Sequence, residues 1–258
     1  MMSCLPLSEA IAQSRLQSVR LVATDMDGTL TCNGQLSGEL LEVLEALRDR
    51  AIATLIVTGR SAGWVNGLSQ LLPIAGAIAE NGGIFYAANG ESTLLTPIVD
   101  LPSHRQQLAA VFAELQRQFP DLCESSDNPF RLTDWTFDVQ GLTTRALHSL
   151  KLRCRELGWD FTYSSVQCHI RPLGQDKAKG LLSVLSRYFP DHSPDCVVTV
   201  GDSPNDESLF DPHYFQLSVG VANVLDYTTR LTHQPAYVTG QPEGWGFCEL
   251  ARALVASD

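Results

Sequence analysis

Short apolar runs that end at polar, glycine-containing loops alternate with stretches of helical periodicity, first near the start of the chain and again near its end. Residues 19–24 (VRLVAT) form the first run and stop at Asp25-Met26-Asp27-Gly28. A run of this length bounded by turn residues predicts a buried strand that delivers a loop. Ser37 then stands where a helix would be capped, and Leu40, Leu41, Leu44 and Leu47 recur at helical spacing up to Arg48 and Arg50. Residues 51–57 form a second apolar run ending at Thr58-Gly59-Arg60, and residues 74–79 a third ending at Glu80-Asn81-Gly82-Gly83. Strands alternating with helices predict a parallel sheet with right-handed crossovers.

The rhythm changes from Ile84 to about Arg171. Strands are predicted over 84–86, 136–139 and 167–170, and helices over 105–118 and 144–157, a mixture that suits a separate α+β lobe. Beyond Lys177 the first rhythm resumes, with a helix over 178–188, an apolar run at 196–200 ending at Gly201-Asp202, strands at 215–219 and 236–238, and a closing helix over 247–255. The fold class is therefore α/β: a Rossmann-like parallel-sheet core made of residues 19–83 and 172–258, interrupted by an inserted α+β domain at 84–171. Gly82-Gly83 and Pro172-Leu173-Gly174 mark the two crossings and would suit hinges. Residues 1–18 read as a partly ordered leader, in which Leu7, Ile11 and Leu16 fit at best a short amphipathic helix.

Composition narrows the function. A chain of 258 residues with 44% hydrophobic and 18% charged residues can bury a sizeable core. Its net charge of −11 argues against a nucleic-acid partner, because that affinity comes from Lys and Arg neutralising phosphates. Any phosphate site in so acidic a chain needs local cations. Seven cysteines at irregular spacing, without a C-x-x-C pair, read as reduced thiols. No window approaches a membrane span and the start of the chain lacks the pattern of a signal peptide, so a cytoplasmic protein is expected.

In open parallel sheets ligands bind beyond the carboxyl ends of the strands, and four polar clusters fall there. Asp25 and Asp27, two residues apart with Gly28 turning the chain away, can face one site. Thr58-Gly59-Arg60 offers a hydroxyl and backbone N–H groups where a strand enters a helix, an arrangement that receives phosphate oxygens. Lys177 opens a helix, against the helix dipole, which makes sense if an anion sits between it and the helix N–H groups. Lys179 reads as an ordinary solvated lysine. Gly201-Asp202-Ser203-Pro204-Asn205-Asp206 places two acids four residues apart after a strand and suits magnesium, a hard cation that takes oxygen ligands. Two carboxylates about 4 Å apart repel by about 4 kcal/mol at an effective dielectric of 20, so Asp25, Asp27, Asp202 and Asp206 converge only around a cation.

These four clusters, in this order, resemble the motifs of the haloacid dehalogenase superfamily of phosphatases. The insertion resembles the large α/β cap of its Cof-type, sucrose-phosphatase-like branch, with Glu80-Asn81-Gly82-Gly83 similar to the sequence that leads into that cap. The resemblance implies that Asp25 is phosphorylated and binds Mg²⁺, and that Asp27 exchanges the proton and ligates through its carbonyl. Asp202 would be a direct metal ligand and Asp206 a direct or water-mediated one. Thr58, the Gly59 N–H and Lys177 would hold the phosphoryl group, while Asn205 would orient its loop and border the phosphate.

The expected activity is hydrolysis of a small phosphorylated metabolite, a sugar or glycosyl phosphate, with Mg²⁺ as cofactor. A phosphosugar mutase and a non-catalytic sugar-phosphate-binding module are the alternatives. Substrate choice should come from the cap closing on the core. Arg60 and Asn81 on the core side and Arg131, Asp134, Asp138, His169 and Arg171 in the insertion are candidates for it. For Arg131 with Asp134 a surface ion pair is the competing reading, and Trp135 could either stack on a sugar or serve as partial core.

Overall fold

The computed structural model describes residues 4–257; the first three residues of the leader and Asp258 lie outside it. Strand β1 (Leu5–Pro6) and helix α1 (Leu7–Ala12) begin the described chain. The segment is more than a leader: β1 pairs with a strand near the other end of the chain, and Leu7, Ala10 and Leu16 are buried. Ile11, expected on the apolar face, is 49% exposed, because the helix is too short to bury more than one narrow stripe.

Strands β2 (Leu21–Thr24), β3 (Ala53–Val57) and β4 (Gly76–Ala79) alternate with helices α2 (Gly38–Asp49) and α3 (Ala62–Ser69). Ser37 caps α2 by accepting the Leu40 N–H at 3.1 Å, as its position predicts. Leu40, Leu44 and Leu47 are buried along one stripe, while Leu41 points outward. After the insertion come helix α6 (Lys177–Tyr188), strands β10 (Val197–Gly201), β11 (Leu217–Gly220) and β12 (Tyr237–Val238), and helix α7 (Glu243–Ala256).

All of these strands join one nine-stranded sheet in the order β1-β12-β11-β10-β2-β3-β4, parallel from β1 to β4, with two further strands beyond β4. Both faces are covered, which explains the uninterrupted apolar runs. Val22 and Ile56 face the layer of α1, α2, α3 and α7, whereas Leu21, Ala23, Leu55 and Val57 face α6.

The boundary read at Ile84 shifts. Strand β5 (Ile84–Ala87) extends the core sheet antiparallel to β4, and β6 (Ser92–Leu94) pairs antiparallel with β5, so the second layer system starts only beyond Leu94. Ile84, Phe85 and Tyr86 are apolar because they pack on the core, a tertiary fact that their alternation does not reveal. Beyond them, α4 (Leu101–Gln118) and α5 (Thr144–Glu156) cover one face of a three-stranded antiparallel sheet. Its order is β7 (Trp135–Asp138), β9 (Gln167–Arg171), β8 (Asp160–Tyr163). Phe137, Phe161, Cys168 and Ile170 point to those helices. The intervening residues Thr136, Thr162 and His169 share the opposite face, His169 being paired with both threonines. Trp135 settles as partial core, against Phe112 and beneath Arg105.

All seven cysteines are free thiols. Among the described residues no helix is long and apolar enough to cross a membrane.

Candidate active site

Strands β10, β2, β3 and β4 are consecutive neighbours in the sheet. The loops leaving their carboxyl ends therefore open side by side onto one crevice, although the residues they carry are more than 170 positions apart in sequence. Asp25 follows β2, Thr58 follows β3, Glu80 and Asn81 follow β4, and Asp202 follows β10.

The centre of the crevice is a fully buried lysine. Lys177, the first residue of α6, donates from Nζ to Asp25 Oδ1 at 2.5 Å and to Asp206 Oδ1 at 2.6 Å. Burial works against its charge, but the carboxylates of Asp206 and Asp25 more than compensate and raise its pKa. Lys179, by contrast, is exposed and bonds only the Gly174 carbonyl and Asp176. Helix register separates the two lysines: two residues turn Lys179 away from the crevice.

Asp202 is held from both sides, by the Thr29 hydroxyl at 2.9 Å and by Asn223 Nδ2 at 2.9 Å. The same Asn223 amide donates to the Gly28 carbonyl at 3.0 Å and accepts the Glu243 N–H at 2.9 Å. Gly28 has φ +80°, and a Cβ there would stand 2.7 Å from Asp202 Oδ2, so both conformation and space demand glycine. Asp206 turns its second oxygen to the N–H groups of Asp202 and Ser203, each at 3.0 Å, and so caps the 3-10 segment Pro204–Phe210.

One oxygen each from Asp25, Asp202 and Asp206 lies within 4.8 Å of the other two. Burial pushes the Asp25 carboxyl up to about 7 and Asp202 well above the usual carboxylate range, since one ammonium does not offset three desolvated acids. Three hard oxygen donors that, once ionised, carry two negative charges beyond what Lys177 balances are a donor set that fits a divalent cation. Asp27 is not part of this group through its side chain. Both its oxygens are gripped by Arg60, Nε to Oδ2 at 2.8 Å and Nη2 to Oδ1 at 2.5 Å, and the Arg60 guanidinium lies 5.0 Å from the Trp64 ring centre.

Thr58 accepts the Arg60 N–H at 3.1 Å, which leaves its own O–H free to donate. Asn205 donates to Asn81 Oδ1 at 3.0 Å and accepts from Ser203 at 2.7 Å, so it ties the β10 loop to the β4 loop. Among the described residues Asn81 Nδ2 is buried without a partner, and it lies 3.2 Å from where a Cβ on Gly59 would stand, leaving an unspent donor beside the Thr58-Gly59 turn.

The three-stranded sheet closes this crevice. Asp25, Asp27, Thr58, Gly59 and Arg60 face Ser164, Gln167 and His169 across a cavity of about 10 Å³, room for roughly one water. Arg131 and Asp134 do form an ion pair, but a wholly buried one rather than a surface one, at 2.9 Å. Arg131 further donates to Asp127 at 2.8 Å, to Gln167 at 2.9 Å and, across to the core, to the Gly59 carbonyl at 2.9 Å. Glu80 fastens the layers from the other side by accepting the N–H groups of Ala62, Leu132 and Thr133. Arg171 and Asp138 stay out of the cavity: Arg171 reaches toward Asp160 at 3.9 Å, and Asp138 is exposed at the strand end opposite Gln167.

Thr29, Glu80, Gln167 and Asn223 were not foreseen as site residues. Asn223 stands just past β11, so the strand-end rule that selected the other loops could have found it. Gln167 and Glu80 gain their roles only from partners far along the chain.

A parallel sheet covered by helices on both faces, with buried acids and a lysine beyond its strand ends and a second small sheet closed over them, defines an α/β fold with a capped crevice. The model of the haloacid dehalogenase-like hydrolases matches residues 22–128 of this chain. Its relatives include the phosphoglycolate phosphatase of Staphylothermus marinus, 26% identical over 92% of this chain and 98% of that protein. The phosphoglycolate phosphatase of Aeropyrum pernix is 27% identical over 73% of this chain and 76% of its own length. Among solved structures, the C-terminal domain of C. albicans trehalose-6-phosphate phosphatase superposes with a TM-score of 0.72 at 15% identity, covering 99% of this chain and 98% of that one. The matching family is one of hydrolases, and these relatives in sequence are named phosphatases.

Proposed function

We propose that this enzyme is a Mg²⁺-dependent phosphomonoesterase acting on a small phosphorylated metabolite, a sugar or glycosyl phosphate, through an aspartyl phosphate on Asp25. The observation that carries the reading is the contact of Lys177 with both Asp25 and Asp206, in a cluster that Asp202 completes. Asp25, Asp202 and Asp206, with the Asp27 carbonyl, would hold the ion. Bound there, it would neutralise the acids and offset the charge of the transferring phosphoryl oxygens.

Asp25 attacks phosphorus and the ester bond breaks, the alkoxide taking its proton from Asp27. Asp27 then accepts a proton from the water that attacks the aspartyl phosphate, which releases inorganic phosphate and restores Asp25. Arg60 fixes the plane of the Asp27 carboxylate and leaves its outer lone pairs for these transfers. Thr58, the Gly59 N–H, Asn81 and Lys177 supply the donors for the phosphoryl oxygens, with Asn205 bracing their loops.

Ester and sugar enter when the smaller sheet lifts, because the closed cavity holds no more than a water-sized group. Uncharged Ser164, Gln167 and His169 on its rim favour a hydroxyl-rich leaving group. The names of the sequence relatives support a second reading, 2-phosphoglycolate. Phosphate release from a panel of phosphomonoesters with Mg²⁺ tests the proposal, and a panel that yields no phosphate from any ester would overturn it.

A further inference from the structure

The inserted sheet turns one imidazole onto the phosphate-side turn of the core. On β9, Cys168 and Ile170 are buried among α4, α5 and the neighbouring strands, so His169 between them faces the other way, toward the crevice, at 1% exposure. Its ring is held at one end only. Nδ1 lies 2.8 Å from Asp134 Oδ2, and Asp134 is itself wholly buried and ion-paired with Arg131. An ionised carboxylate only accepts, so the Nδ1 nitrogen carries the proton. Among the described residues Nε2 has no hydrogen-bond partner. It lies 3.1 Å from where a Cβ on Gly59 would be, and ring Cε1 lies 3.0 Å from that point, so the imidazole edge occupies the space that glycine vacates above the Thr58-Gly59 turn.

The charges around the ring fix what it offers. Arg131, with Asp127 as its second acid, already neutralises Asp134, and burial together with Arg131 and Arg171 disfavours an imidazolium. A neutral ring with its proton on Nδ1 presents a lone pair at Nε2. The remaining groups at the rim reinforce this. Gln167 is committed to Arg131 and Asp127, and the one cation in the lining, Arg60, is committed to both oxygens of Asp27.

We infer that His169 is a specificity residue whose Nε2 accepts a hydrogen bond from a hydroxyl on the leaving group, so that the site selects phosphomonoesters of sugars and polyols over esters whose alcohol bears a carboxylate. This deepens the phosphatase reading above and rests on it. A hydroxyl donor meets a matched acceptor, whereas a carboxylate meets a lone pair and no unpaired cation, a mismatch that is costly in a closed site. Asp134 and Arg131 are positioning residues: they fix the tautomer and height of the ring, as a buried carboxylate does for a functional histidine.

The test compares kcat/KM of the wild type, His169→Phe and His169→Gln on glucose 6-phosphate and glycerol 1-phosphate, on 2-phosphoglycolate, and on p-nitrophenyl phosphate, whose alcohol has neither group. The wild type should favour the hydroxylated esters over 2-phosphoglycolate by about 100-fold or more. His169→Phe should lose about tenfold or more on the hydroxylated esters relative to its change on p-nitrophenyl phosphate, whose turnover also reports that the variant is folded. His169→Gln, whose amide oxygen accepts, should recover part of the loss. A preference of the wild type for 2-phosphoglycolate, or an equal loss on all esters in both variants, would overturn the inference while leaving the phosphatase reading intact. Absence of turnover of every ester by the wild type would overturn the phosphatase reading itself.

Discussion

Arg131, in the inserted lobe, donates to the main-chain carbonyl of Gly59, in the core turn that lines the same cavity as Asp25, at 2.9 Å. The closed position of the smaller sheet is thus sensed by the backbone that would hold the phosphoryl group. Arg131 is wholly buried and also supports Asp127 and Asp134. Arg131→Ala strands the buried Asp134 and should cost about 3–5 kcal/mol, read as a lower urea midpoint of the full chain. Arg131→Lys should rescue little, because one ammonium cannot span the same acceptors in a plane. An unchanged midpoint in the alanine variant would contradict the burial described here.

Asp25→Asn keeps the shape of the side chain and removes the proposed nucleophile. Turnover should fall by about 10³-fold or more. Stability should hold or rise, since one of three crowded, desolvated acids is gone. Phosphate release and a thermal melt of the same sample check both halves, and wild-type turnover would remove Asp25 from its role.

Chelation should be reversible. Treatment with EDTA is expected to abolish phosphate release, and added Mg²⁺ to restore it and raise the melting temperature, because a ligand of the folded state stabilises it by mass action. Asp202→Ala should erase the Mg²⁺-dependent rise in melting temperature. Full activity of the chelated enzyme would count against the divalent cation.

Asn223 ties Asp202 and the Gly28 carbonyl together. Asn223→Ala should weaken the apparent Mg²⁺ affinity by about 10–100-fold while kcat at saturating Mg²⁺ is largely kept. A Mg²⁺ titration of activity separates the two quantities, and an unchanged titration curve would show that Thr29 alone positions Asp202.

Much of this was legible from local pattern. Residues 51–57 and 196–200 declare themselves as buried strands, and Ser37 and Lys177 mark helix starts, because period, capping and chain direction are properties of neighbours in sequence. The same positional rule picked out Asp25, Thr58 and Asp202 at strand ends. It could not rank Lys177 above Lys179 by contact, nor tell that Asp27 would turn to Arg60 while Asp25 turned to Lys177. Arg131 and Asp134 read equally well as a surface pair.

What the sequence determined by itself is the alternation of strand and helix, and with it a parallel sheet whose loops carry acids, a Thr-Gly turn and a lysine to one edge. Only the tertiary structure decided that β5 and β6 belong to the core sheet, that the N-terminal strand closes its far edge, and that the polar face of the smaller sheet brings His169 over Gly59. The physical reason is that a residue's period reports which side it faces, whereas the identity of what lies on that side is set by packing between segments far apart in the chain.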